Sequence, residues 1–195
     1  MDAAYDLIWE HSYGAVTIDA ICERAKVKKG SFYYFFDSKS DLAVAAIDAW
    51  WIERKALVEE MFRPEVPPLE RLRKYLDFVA QRQIEAYESS GQVLWCPLFT
   101  LGSEISTQDE QIRSHIHEIL SYFGHYVEKA IAEAQAAGVV DGKNAALTAR
   151  SFLASYAGTL MRARIENDIE PIRSLSSDAI EMIGANPAGT SILRS

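Results

Sequence analysis

Several features that would announce chemistry are missing or scarce in this 195-residue chain. Its two cysteines, Cys22 and Cys96, cannot build a disulfide framework, and neither has a partner at metal-ligand spacing. That usage fits a reducing, cytoplasmic setting. Six prolines and ten glycines are too few for a long low-complexity tract. No run of ~18 apolar residues offers a membrane span. The opening MDAAYDLIWEH interleaves carboxylates with apolar groups, which is not the pattern of a leader peptide. No P-loop, G-x-G-x-x-G or G-x-S-x-G motif occurs, so no catalytic residue and no cofactor is assigned. His115 and His117 would point about 200° apart on a helix, and His125 lies nearly three turns beyond His115, so no metal site is expected.

Cations are also in deficit, with a formal charge of −8. The distribution matters more than the sum. Residues 24 to 39 carry Arg24, Lys26, Lys28, Lys29 and Lys39 against Asp37 alone, a local +4 that leaves −12 elsewhere. An acidic chain with one basic stretch is suited to meeting a polyanion through a single face. The apolar content of 49% is ample for a packed core.

The basic stretch lies inside TIDAICERAKVKKGSFYYFFDSKSDL, residues 17 to 42. Thr17 is a good N-cap and Asp19 suits the positive end of a helix. Ile18, Ile21 and Ala25 recur at helical spacing, with Cys22 beside them as a small packing residue. Ala25, Lys26 and Val27 make the turn, with Val27 expected as an apolar plug. The spacing predicts a second short helix from Lys29 to Phe36, with Phe32, Phe35 and Phe36 inward. Lys28, Lys29, Ser31, Tyr33 and Tyr34 then remain outside, supplying ammonium and hydroxyl groups for phosphates and base edges. Ser38 and Asp41 form a capping box that starts the next helix.

The string KGSFYYFFDSKSDL, in its setting across roughly residues 3 to 50, resembles the tetracycline-repressor-like (TetR) transcriptional regulators. Their signature runs Lys-Gly-Ser, an apolar residue, Tyr, two aromatic or His positions, Phe, then Ser-Lys-x-x-Leu. Three positions depart from it. The family usually has Gly where this chain has Lys26, a small polar residue in place of Lys28, and often His in place of Phe35. It also usually carries polar, often basic residues ahead of the first helix, whereas this sequence opens almost inside that helix.

The rest of the chain predicts helices only. The first covers Ala3 to about Ser12 and the fourth runs from Lys39 to about Phe62, long enough to act as a lever. After the linker Glu65-Val66-Pro67-Pro68, a fifth helix begins near Pro68 and ends at Ser89-Ser90-Gly91. A short sixth spans Pro97 to Glu104. Ser106 or Thr107 is expected to cap the seventh, whose stripe is Ile112, Ile116, Ile119, Phe123 and Tyr126, with Gly138 closing it. An eighth opens at Asp141 and lasts to about Asn167, and a ninth opens at Pro171 and ends near Gly184. The expected fold is all-α with about nine helices: a helix–turn–helix domain at 1–45, a helical bundle for ligand binding and dimerisation at 46–185, and a flexible tail at 186–195.

The expected DNA-binding residues are Thr17, Lys28, Lys29, Gly30, Ser31, Tyr33, Tyr34 and Lys39. Gly30 would let a phosphate backbone approach closely. Small residues on the eighth helix, Ser151, Ala154, Ser155 and Gly158, let another helix pack against it. They suit either packing within the bundle or a homodimer, and the resemblance implies the homodimer, through the last two helices. It also implies a small-molecule effector in the helical body, for which Trp95, Cys96, Phe99, Phe123, Tyr126 and Tyr156 are the expected contacts. The sequence thus reads as a ligand-responsive, DNA-binding regulator, most simply a repressor released from operator DNA by a small apolar or aromatic effector. Two alternatives stand beside it. Cys96, in a segment similar to a cysteine-bearing one in a branch of the family, could sense electrophiles or oxidants. A helical-bundle enzyme or an adaptor without DNA binding could share the same fold.

Overall fold

In the computed structural model of the protein, residues 2–94, 96–142 and 144–185 are described. Among them lie ten α-helices: α1 (Asp2–Glu10), α2 (Ile18–Arg24), α3 (Lys29–Phe35), α4 (Lys39–Met61), α5 (Pro68–Ser90), α6 (Pro97–Ile105), α7 (Glu110–Ala136), α8 (Ala145–Glu166), α9 (Glu170–Arg173) and α10 (Leu175–Met182). The sole β feature among the described residues is an isolated antiparallel bridge between Val140 and Ala185. The fold is all-α, as the periodicity requires. The extra helix arises at Ser174, which interrupts the expected ninth helix and separates α9 from α10.

The chain forms two compact units, one of residues 1–56 with 94–120 and one of 57–93 with 121–195. In the first of these, α6 and the first part of α7 group with the N-terminal helices. The tail at 186–195 lies outside the described residues.

The first unit has two adjoining apolar clusters. In one, Ala4 and Leu7 of α1, Ile21 and Cys22 of α2, Phe32 of α3 and Leu42 and Ala46 of α4 meet. In the other, Ile47 of α4 packs with Leu98 and Leu101 of α6 and with Ile112, Ile116 and Ile119 of α7. Each fully buried aliphatic side chain contributes about 1.5–3 kcal/mol, so these two clusters hold α1–α3 to the start of α4. Polar contacts set the geometry of the turns. Glu104 accepts from the Tyr13 amide at 2.9 Å and from the Gly14 amide at 2.5 Å. A Cβ at Gly14 would lie 2.6 Å from Glu104 Oε1, so any larger residue there would have to push the carboxylate away from the two amides.

In the second unit, Leu76, Val127, Ala130, Ile131, Leu160 and Ile172 are fully buried. The buried Arg71 guanidinium donates to Val66 O at 2.6 Å, to Pro64 O at 2.9 Å and to Glu133 at 2.6 Å. It thereby fixes the Pro-rich linker to α5 and α7, and its charge is balanced. Asn167 ends α8 in the left-handed region at φ 50°. Its side chain accepts from the Val93 amide at 2.9 Å and donates to Gly91 O at 3.1 Å, joining the ends of α5 and α8.

Several caps differ from expectation. Asp109, rather than Ser106 or Thr107, caps α7, accepting from the Ile112 amide at 3.0 Å. Ser106 instead ends α6. Asn144 caps α8 by accepting from the Leu147 amide at 2.9 Å, so Asp141 does not open that helix. In both cases the carboxylate or amide nearest the first turn displaces the more distant candidate. The box at Ser38 holds: its Oγ accepts from the Asp41 amide at 3.0 Å and donates to the Asp41 carboxylate at 2.7 Å.

Candidate nucleic-acid interface

The helix–turn–helix is built as its residues dictate. Thr17 Oγ1 accepts from the Ala20 amide at 3.1 Å, starting α2. Ile21 and Cys22 bury one face of α2, and Phe32 is the buried residue of α3. Phe36 is half-buried beside it, with ring centroids 5.8 Å apart. Two expectations fail. Phe35 does not face inward but is 71% exposed, and Val27 is no plug but 49% exposed. The cause is the shortness of α3, seven residues, whose inward side is filled by Phe32 and Phe36. Phe35 falls to the flank, on the side of Ser31 four residues earlier.

The outward face of α3 carries Tyr33, Tyr34, Ser31 and Gly30, with Lys28 and Lys29 at its N-terminal end, and all six are exposed. A Cβ at Gly30 would meet nothing within 4 Å, so no neighbour in the chain demands glycine there. Lys28 occupies the N-cap position without a side-chain cap bond. The start of α3 therefore lacks the side-chain acceptor that Thr17 supplies to α2, and the Ser31 amide donates to Lys28 O at 2.9 Å instead.

The cations are not equally available. Lys29 Nζ lies 2.8 Å from Asp19 Oδ1, a pairing that raises the lysine pKa. Arg24 donates twice to Glu10, at 3.2 and 2.8 Å, which holds the Glu10 carboxyl below its ordinary range. Lys39 donates to Tyr13 O at 2.9 Å and to Val16 O at 3.0 Å, and sits 3.9 Å from the Tyr13 ring centroid. Burial pushes its pKa down. Lys39 thus secures the α1–α2 turn to the start of α4, a role its sequence position did not reveal. Lys26 and Lys28 have no ion-pair partner among the described residues.

The expected effector contacts divide between the two units. Phe123, Tyr126 and Tyr156 belong to a ring cluster of the second unit, together with Phe62 and Tyr75. Tyr75 and Phe123 are 4.2 Å apart by centroid. At one end of the cluster Tyr122 donates to Glu59 at 2.6 Å, and its oxygen lies 3.1 Å from that of Tyr126. Cys96 and Phe99 lie in the first unit, and Trp95 falls outside the described residues. Cys96 is the N-cap of α6, a position where the sensing alternative would need a lowered thiol pKa. Burial instead pushes the thiol up, outweighing the pull of the Leu98 and Phe99 amides and of Arg54.

On α8, Ser151 and Ala154 are exposed and Ser155 and Gly158 half-buried. They sit within a longer outward row of Leu147, Ser151, Ala154, Gly158, Met161 and Ile165, spaced alternately by four and three. Leu147, Met161 and Ile165 are 49, 44 and 76% exposed. A Cβ at Gly158 would meet nothing within 4 Å.

A capped helix, a tight turn and a short second helix with an exposed polar face define a helix–turn–helix DNA-binding protein. Comparison with known proteins agrees. Residues 1–46 match the family model described as bacterial regulatory proteins, tetR family, and residues 68–177 match that of the tetracyclin repressor-like C-terminal domain. The chain belongs to the TetR family of transcriptional regulators. Among its relatives, the transcriptional regulator AcuR of Cereibacter sphaeroides is 27% identical over 176 residues, covering 89% of this chain and 78% of the relative. The HTH-type transcriptional repressor DhaR of a Mycobacterium species is 26% identical over 165 residues, or 84% and 79% of the two chains. The crystal structure of a regulatory protein TetR from Rhodobacter sphaeroides superposes with a TM-score of 0.78 at 26% identity, covering 91% of this chain and 93% of that one. These relatives are regulators rather than enzymes. No helix among the described residues is long and apolar enough to cross a membrane.

Proposed function

We propose that the protein is a homodimeric, cytoplasmic repressor that holds operator DNA through α3 and releases it when a small apolar or aromatic effector binds the helical body. The observation that carries this reading is the exposed face of α3, where Gly30, Ser31, Tyr33 and Tyr34 follow two lysines while Phe32 alone is buried. Thr17, Lys28, Lys29 and Lys39 would meet phosphates, with Lys28, Lys29 or Tyr33 reaching base edges. Lys29 would exchange Asp19 for a phosphate. Lys39 has one ammonium hydrogen left after its two carbonyl bonds.

The outward row on α8 supports pairing of two copies, because an unpartnered apolar stripe at heptad-like spacing is what a helix presents to another helix. A twofold pair would set two recognition helices about 34–36 Å apart, one turn of duplex, or a multiple of that. The ring cluster of Phe62, Tyr75, Phe123, Tyr126 and Tyr156 is the apolar wall suited to an effector, with the Tyr122 and Tyr126 hydroxyls and Glu59 as its polar end. An effector that favours the non-binding conformer a hundredfold supplies ~2.7 kcal/mol of coupling, transmitted by a tilt of α4. The thiol-sensing alternative loses support, since burial disfavours the Cys96 thiolate.

The test is a titration of duplex from upstream of the protein's own gene, followed by anisotropy across salt. Affinity should fall with a log–log slope of roughly −4 to −8, from four to nine phosphates neutralised per dimer at about −0.9 each. Lys28→Ala together with Tyr33→Ala should weaken binding without lowering the thermal midpoint. A slope near zero overturns DNA docking.

A further inference from the structure

The geometry points to Tyr34 and Phe35 as readers of thymine methyl groups, so that the operator half-site this protein selects places thymines under the outer flank of α3. The inference rests on α3 docking to duplex DNA and adds which chemistry of the base is read. Tyr34 is 81% and Phe35 71% exposed, and their rings meet edge to face at 4.8 Å and 87°. The apolar cluster around Phe32 closes without either ring. Single exposed apolar residues are ordinary. Here Val27, Tyr33, Tyr34 and Phe35, all 49% exposed or more, fall within nine residues on one short helix and its turn.

Three of the five nearby cations are already engaged, which leaves Lys26 and Lys28. Lys29 is paired with Asp19, Arg24 with Glu10, and Lys39 with two carbonyls. Phe35 has no hydrogen bond to give. In the major groove the apolar mark that distinguishes one base pair from another is the C5-methyl of thymine, and an aromatic or methyl side chain reads it by contact. Tyr34 stands four residues after Gly30, where the surface is open, and Phe35 four after Ser31, so the two rings line adjacent rows of the exposed face. A surface so dressed adds methyl burial to the contacts that Lys28 and Tyr33 make with base edges.

The experiment starts from duplexes that the purified full-length protein selects from a random pool. Each recurrent thymine is then replaced by deoxyuridine, which deletes the methyl and leaves the hydrogen-bonding edge intact. The wild type should bind the uracil duplex roughly fourfold more weakly per methyl removed. Phe35→Ala and Tyr34→Ala should each shrink that thymine–uracil difference while keeping the wild-type thermal midpoint, since both rings lie outside the core. Equal affinity of the wild type for both duplexes overturns the inference, as does full discrimination retained by both variants, which would assign the rings to contact with protein instead. Failure to select any duplex defeats DNA docking itself and this inference with it.

Discussion

The helices α3 and α8 both leave apolar groups in water, and they do so differently. The α3 face mixes aromatic rings with hydroxyls, lysines and an open glycine, on a helix of seven residues. The α8 face is a regular row of Leu147, Ser151, Ala154, Gly158, Met161 and Ile165 along a helix of 22 residues. The first is irregular and hydrogen-bonding, which suits a groove whose walls are phosphate and base. The second repeats with helical period and holds small residues at its centre, which suits another helix at close approach. Exposure alone does not separate a nucleic-acid face from a protein face. Spacing and the share of hydrogen-bonding groups do.

The sharpest way to break this comparison is to place charge at the centre of the α8 row. Ala154→Arg would set two guanidinium groups near a twofold axis, with no carboxylate in the row to receive them. Light scattering should then show a monomer, and affinity for a two-half-site duplex should drop at least a hundredfold as the second contact becomes independent. Because Ala154 is exposed in the protomer, the helical content of the variant should be unchanged. A dimer that persists would show that the row serves some other contact.

Most of the fold was legible because its signals are local. The apolar stripe of α7, from Ile112 to Phe123, is buried as its spacing predicts, and Pro68 and Gly91 bound α5 as their backbone preferences require. The misjudged caps at Asp109 and Asn144 stand in segments with several polar residues in a row, where three-residue offsets alone do not choose. At the candidate interface, composition was legible but availability was not. Asp19 reads as a dipole partner in α2, yet it also holds Lys29, and Glu10 of α1 holds Arg24. Pairing between helices has no sequence period. The same is true of Glu104, which takes two amides about ninety residues earlier in the chain.

A finer probe of the α3 face is Gly30→Ala. The position is helical and unobstructed, so alanine should raise stability by about 0.5–1 kcal/mol. If duplex backbone comes close there, the added methyl should cost DNA binding roughly tenfold, and stability and affinity would move in opposite directions. A variant that gains stability and binds normally would place the duplex away from the helix N-terminus and weaken the contrast with α8, where small residues are argued to matter for the same steric reason.

The smallest expected effect bears on the turn between α2 and α3. Lys26 stands at φ 55°, in the left-handed region that glycine occupies without strain. A lysine there costs about 1–2 kcal/mol in the folded state, while glycine would lose roughly 0.4–1 kcal/mol more through the freedom of the unfolded chain. Lys26→Gly should therefore stabilise the protein by about 0.5 kcal/mol net, a rise of 1–2 °C in Tm for a chain of this size. The Lys26 ammonium is one of two in the segment, with that of Lys28, that have neither an ion-pair partner nor a side-chain hydrogen bond among the described residues. Removing it should flatten the salt slope of DNA binding by about 0.9 per protomer, or 1.8 for a pair of copies. Stabilisation with an unchanged slope would mean that Lys26 points past the phosphates, and that the free charge on this face resides at Lys28 alone.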